Sequence, residues 1–321
     1  MQWDKKRHID VVCVGTAVID MLFSGVDYDS FMKDEISFAK GLHFDTGGDA
    51  TNEAKILSKL GFNVLLAARI GDDIMGKLYR ELMCSYGVDL SAVRADNQIQ
   101  MSSSAVIIGK NGERFFLGCG GKTSVNAFSS DDVDVNLFDQ AKIVSFGSIF
   151  IHPEFDSVET ANLLCEAKRR GAVTVADISV NPEKDPSELL KVLPCIDYFI
   201  PNYEESVYYS GEKDPAEAVR YFCKNGAGVT IVKNGMCGCI AGDNNHIFSV
   251  RAFQAEAIDT TGAGDTFVGA FIAALLQGKT LEECCRFSNA AASITVQHIG
   301  AAAGVESIDQ IERIVRERFD K

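Results

Sequence analysis

Apolar and polar positions change their period along this chain, and the changes mark out its elements. A short apolar run at 9–15 ends at Gly15 and predicts a buried strand. At 49–61, Ala50, Ala54, Leu57 and Leu60 fall on one helical face and Gly61 is a natural stop. Residues 63–70 then read as a strand and 76–86 as a helix. From 141 onward the two patterns alternate: strand 143–147, helix 156–170, strand 173–177, helix 186–192, strand 198–201, helix 214–224, strand 228–233. Such alternation predicts βαβ units and a parallel sheet. Two longer helical patterns follow, at 265–276 and 281–297.

Two stretches differ. Residues 17–46 are mixed and moderately polar, with two-faced alternation at 38–45. Residues 103–108 and 114–117 are β-prone runs around a turn at 110–113 that contains Asn111-Gly112, a hairpin signal. The expected architecture is therefore α/β: a doubly wound, mostly parallel sheet flanked by helices, with a small β-sheet lid. The body takes 1–16, 47–97 and 122–321, and the discontinuous lid takes 17–46 and 98–121. The acidic stretch Asp131–Asp134 is read as a solvated loop.

Composition narrows the function. With 46% hydrophobic and 24% charged residues, the chain is of globular type, and 31 basic against 45 acidic residues give a net charge of −14. That field repels nucleic acid and anionic membrane, yet leaves room for a single nucleotide held by local N–H groups. No run of about 18 apolar residues exists to span a bilayer. The charged N-terminus lacks a signal-peptide core. A cytoplasmic location is expected, with the ten cysteines acting mainly as reduced, small core residues. Cys237-Gly238-Cys239 has the wrong spacing for structural zinc.

The chemistry concentrates in Asp259-Thr260-Thr261-Gly262-Ala263-Gly264-Asp265. Gly262, Ala263 and Gly264 precede an apolar helix, so small residues and unpaired N–H groups together make an anion hole. Asp265 fits either a helix cap or a general base. Capping needs no Gly-Ala-Gly approach, which favours the base. Two other motifs are set aside. Gly118-Cys119-Gly120-Gly121-Lys122-Thr123 has phenylalanine at 116, where a phosphate loop needs its first glycine. The first strand is followed by Gly15-Thr16-Ala17-Val18-Ile19-Asp20, without a dinucleotide fingerprint.

The stretch Asp259–Asp265 with Thr266-Phe267 resembles the C-terminal signature of the ribokinase-like, or phosphofructokinase-B, family of sugar and nucleoside kinases. Gly47-Gly48-Asp49-Ala50-Thr51-Asn52 is similar to that family's N-terminal signature, and Gly71-Asp72-Asp73-Ile74-Met75-Gly76 to a third recurrent stretch. The resemblance implies an ATP- and Mg2+-dependent kinase that phosphorylates a sugar hydroxyl, an exocyclic primary alcohol being expected. Asp265 would be the base and Gly262, Ala263 and Gly264 the anion hole. Asp20, Gly47, Gly48, Asp49 and Asn52 would line the substrate site. Lys233, Gly235, Gly238 and Asn289 match nucleotide-binding positions, although Lys233 replaces the usual small hydroxyl residue. Asn202 and Glu205 fit the Asn-x-x-Glu element associated with magnesium through water. Asp259 and Thr261 can supply oxygens to a monovalent cation such as K+, as in some members. Lids of this family often pair, which implies a homodimer. Asp49 points to a polyhydroxy or amine-bearing substrate rather than a phosphosugar. Phe44, Phe115 and Phe116 are candidates to stack over it. The alternatives are a nucleoside kinase of the same family and a non-catalytic sugar-binding relative.

Overall fold

The strands of the central sheet alternate so strictly that successive residues belong to different layers. The computed structural model describes residues 3–4, 6–33, 36–109, 113–119 and 121–317; the expected turn lies, except for Glu113, outside them. In chain order the elements are β1 (Ile9–Val14), β2 (Val18–Val26), α1 (Tyr28–Lys33), β3 (Gly41–Gly47), α2 (Asp49–Lys59), β4 (Val64–Gly71) and α3 (Ile74–Ser85). There follow β5 (Val93–Asp96), β6 (Ser103–Gly109), β7 (Arg114–Gly118), α4 (Ser124–Ala127), β8 (Ala141–Ile149), α5 (Ser157–Arg169) and β9 (Val173–Ile178). The last are β10 (Tyr198–Phe199), α6 (Tyr203–Ser210), α7 (Pro215–Lys224), β11 (Val229–Lys233), β12 (Cys239–Gly242), β13 (Ile247–Val250), α8 (Ala263–Leu276), α9 (Leu281–Thr295) and α10 (Ile308–Glu317).

Nine strands form the main sheet in the order β13-β12-β11-β10-β9-β8-β1-β4-β5. All neighbours are parallel except β11/β12 and β12/β13. Val11 and Cys13 of β1 pack with Leu57 of α2, Phe271 of α8 and Phe287 of α9. Val12 and Val14 pack on the other side with Leu163 of α5 and Phe222 of α7. This is the period of a strand buried on both faces, and it gives three layers. Because β1 is flanked by β4 on one side and β8 on the other, strand order reverses there. A crevice opens at the carboxyl ends of strands beside such a reversal.

A second sheet has the order β3-β2-β6-β7, drawn from both polar stretches. β2 and β6 are parallel, the other two pairs antiparallel. Its register aligns Asp20 with Asp45 and Ser104, and Ile108 with Arg114. With side chains alternating between faces, Asp20, Ser104, Val106, Arg114 and Phe116 share one face. Phe44 and Phe115 lie on the other.

Several elements differ from expectation. The helix expected at 186–192 is instead a tight turn at Pro186–Lys191, followed by a second at Leu193–Cys195. Pro186 opens the first turn, and Pro194, lacking an N–H, stops the segment from running on as one helix. β12 and β13 are too short for their alternation to stand out. Cys165 and Cys195 form a disulfide, with Cα atoms 4.8 Å apart, where reduced core cysteines were expected. α5 and the turn before β10 are packed closely enough to bring the two together. Among the described residues, no helix is long and apolar enough to cross a membrane.

Candidate active site

The site gathers where α2 and α8 begin. α2 starts directly after β3, and Gly48 makes the sharp entry with φ 99°. A Cβ there would lie 2.5 Å from the Thr16 carbonyl oxygen, so glycine is required by both conformation and space. α8 starts from Gly262, whose φ of 70° is left-handed. Its side-chain-free N-cap means that Asp265, three residues on, does not cap the helix. Asp265 Oδ2 instead accepts a 2.7 Å hydrogen bond from Asn52 Nδ2 on α2. Asn52 Oδ1 is buried without a partner among the described residues and can accept from a ligand. Of the expected anion hole, the Ala263 N–H is already bonded to Thr260 O at 3.2 Å. Gly264 and Asp265 begin the helix and have no intrahelical carbonyl for their N–H groups.

Charged groups crowd this point. Carboxylate oxygens of Asp49, Asp177 and Asp265 lie within 4.8 Å of one another. Asp177 stands at the end of β9 and accepts from Ser148 N at 2.6 Å. Lys233, at the end of β11, brings its Nζ 3.9 Å from Asp177 Oδ2. The same Nζ is 3.5 Å from where a Cβ on Gly264 would be, so the ammonium faces the start of α8.

Burial is the leading cause that raises the carboxyl pKa values of Asp49, Glu53 and Asp265; neighbouring carboxylates add to it at Asp49 and Glu53, whereas the Asn52 bond and Lys233 oppose it at Asp265. Burial likewise lifts Asp177 to about 6 and Glu205 to about 7, although Lys233 opposes both shifts. For Lys233 burial works against the charge, yet Asp177, Glu205, Asp265 and Asp49 together raise its pKa.

The other expected residues divide into those gathered here and those spent elsewhere. Asp20 stands on β2, facing Gly47, and accepts from the Ser104 hydroxyl. Burial first, opposed by Ser104, raises its pKa. Asp49 joins Asp177 and Asp265 in the carboxylate cluster. Asn202 and Glu205 form a reciprocal cap on α6: Asn202 Oδ1 accepts from Glu205 N at 2.8 Å, and Glu205 Oε2 from Asn202 N at 2.7 Å. The second Glu205 oxygen is left for other work. Gly235 and Gly238 both have positive φ in the turn between β11 and β12. Asn289 donates to the carbonyls of Val250 and Arg251 at 3.2 and 3.3 Å, so its amide nitrogen holds the chain after β13. Asp259 and Thr261 have their side-chain oxygens bound to Arg114 of β7, at 2.5 Å and 2.7 Å. A guanidinium therefore stands where those side chains were expected to meet a monovalent cation. Phe44 packs on the core and Phe115 lies edge-on to Tyr28, leaving Phe116 alone on the Asp20 face.

Sequence reading missed Asp177, Glu53, Lys55 and Arg114. Lys55 is 1% exposed and binds Asp45 Oδ1 at 2.9 Å and Thr46 O at 3.0 Å. Two charged residues among the apolar positions of α2 were the available signal. The third motif is structural: Asp73 caps α3 by accepting from Gly76 N at 2.8 Å and holds Met101 N at 2.9 Å.

A family model described as pfkB family carbohydrate kinase matches residues 8–308. A ribokinase of Arabidopsis thaliana is 28% identical over 95% of this chain and 81% of that protein. An ATP-dependent 6-phosphofructokinase of Thermoanaerobacterium thermosaccharolyticum is 26% identical, covering 97% of this chain and 94% of that one. Among solved structures, Arabidopsis thaliana ribokinase complexed with ribose and ATP superposes with a TM-score of 0.79 at 27% identity, over 96% of this chain and 99% of that one. An E. coli putative ribokinase II in complex with ATP and Mg2+ gives 0.80 at 21% identity, over 97% and 100%. At that identity it supports the fold alone.

Proposed function

Because this chain belongs to the pfkB family of carbohydrate kinases, phosphotransferases with an alcohol acceptor, we propose that it moves the γ-phosphoryl group of ATP to a hydroxyl of a sugar, with Asp265 as general base. The observation that carries this reading is the Asp265–Asn52 bond. A first-turn aspartate released from capping and aimed by an amide from another helix is placed for proton transfer. In the proposed step the substrate O–H gives its proton to Asp265 while its oxygen bonds to the γ-phosphorus and ADP leaves. The N–H groups of Gly264 and Asp265, which have no intrahelical carbonyl, hold the phosphoryl oxygens, and the Lys233 ammonium offsets their charge.

Asp20, Gly47, Gly48 and the open Asn52 Oδ1 make the sugar side of the site. Asp20 takes hydroxyl donors, because a carboxylate offers two accepting oxygens. Asp49 acts on the phosphate side, beside the base. Bound Mg2+ would neutralise phosphate charge, and the groups that fit it are the second Glu205 oxygen through water and Asp177, both beside Lys233. Asn202 Oδ1 accepts one bond from the α6 cap and keeps one lone pair for a metal-bound water. Gly235 and Gly238 let the β11–β12 turn approach the nucleotide. Asn289 shapes that side by fixing the chain after β13. The small sheet, from 17–46 and 98–121, acts as a lid on the body and excludes water that would otherwise take the phosphoryl group.

The test is an ADP-coupled assay with Mg2+-ATP over ketoses, aldoses, sugar acids, phosphosugars and nucleosides. A neutral sugar or sugar acid is expected to turn over best. Preference for a nucleoside or a phosphosugar would overturn the substrate class, and turnover of none would favour a binding relative.

A further inference from the structure

The Asp259–Gly262 turn shapes the anion hole, and it is held from three directions. Asp259, 2% exposed in its side chain, accepts from Gly300 N at 2.8 Å and from Thr261 N at 2.9 Å. Gly262 is wedged against the 300–302 segment, since a Cβ on it would lie 2.7 Å from Ala301 Cα. The third support comes from outside the body. Arg114, the first residue of β7, reaches across with Nη2 2.5 Å from Asp259 Oδ2 and Nη1 2.7 Å from Thr261 Oγ1. Its side chain is 15% exposed, so the pair is largely out of water. A planar guanidinium can bridge a carboxylate and a hydroxyl in one fixed arrangement, which an ammonium cannot reproduce.

We propose that Arg114 is a positioning residue for phosphoryl transfer, a tethered cation that couples the seating of the small sheet to the shape of the anion hole. It takes the Asp259 and Thr261 oxygens that would otherwise serve a free monovalent cation. Turnover then depends on the lid through this contact, and not on the choice of buffer cation. The inference rests on the 262–264 turn being the anion hole and on Asp265 acting beside it.

The test compares the full-length wild type, R114A, R114K and D265N with one sugar substrate and Mg2+-ATP. Each is assayed in Na+, K+ and tetramethylammonium buffers of equal ionic strength, with and without non-denaturing guanidinium chloride. Wild-type turnover should be the same in all three buffers. In R114A kcat should fall by about 100-fold, the scale of a small misplacement of catalytic groups, with a smaller change in the sugar KM. Guanidinium or K+ should restore part of that loss, and R114K should be intermediate. Normal kcat in R114A, a loss that no cation restores, or a wild type that needs K+ would each overturn the proposal. If R114A fails to fold, R114K decides: wild-type kcat in it overturns the proposal, and a reduced kcat raised by guanidinium supports it. Full turnover in D265N would instead sink the base assignment, an outcome independent of Arg114.

Discussion

Asp265 shows how much a single residue's role depends on its partner. At the third position of a helix its carboxylate would ordinarily bind the helix's own N–H groups. Here Gly262 is the N-cap and Asn52 takes the carboxylate. Burial raises the Asp265 pKa, so the proton leaves at a higher pH than from an ordinary aspartate. A base works deprotonated, and activity should therefore rise as pH rises through that displaced value. We expect D265N to lower kcat by about 10²–10⁴-fold and to abolish this acidic limb, read from pH profiles of kcat/KM. A limb at an ordinary aspartate value would exclude Asp265 as its source.

At the scale of elements, α6 carries two tasks in four residues. Glu205 closes the reciprocal cap with Asn202, and it also stands near Lys233 with its pKa pushed by burial to about 7. Unfolded, its pKa is about 4.5. Between those values the folded chain holds a proton that the unfolded chain has lost, so this group's contribution to stability declines as pH rises from about 4.5 to about 7. Glutamine keeps the capping geometry without the charge. E205Q should match the wild-type melting temperature near pH 4 and exceed it above pH 7, by roughly 2 °C. Melting curves without nucleotide across that range check this, and an offset independent of pH would show that only the cap matters.

At the scale of the molecule, the small sheet has two unlike faces. One carries Asp20, Ser104 and Arg114 toward the site. The other exposes Leu42, Phe115 and Leu117, which are 52%, 57% and 68% exposed. A contiguous apolar face of this kind is expected to be covered, and we expect a second copy of the chain to cover it, making a homodimer. Sedimentation of the wild type as a dimer, and of L117D as a monomer with unchanged melting temperature, is the predicted result. A wild type that sediments as a monomer at micromolar concentration would refute it.

Much of this was legible along the chain, for local reasons. Strand and helix periods placed β1, α2, β4, α5, β9, α7, α8 and α9, because each buries one face or two and the burial is written in the spacing of apolar residues. The glycine-rich turns showed where backbone must come close to a ligand, since only small residues permit it. What the sequence could not supply is proximity between residues far apart in order. Asp177 and Arg114 look like ordinary charges at the ends of strands until the parallel sheet and the small sheet bring them to the site beside Lys233 and Asp259. Asn52 and Asp265 were each suspected alone, but their bond exists only because α2 and α8 pack side by side. Tertiary packing likewise set Arg114 of β7 on Asp259 and Thr261, and Asn289 of α9 on the carbonyls after β13. Local order determined which residues fold into which elements; tertiary packing decided which charges meet, because the strength of a charge contact depends on distance and burial and not on position in the chain.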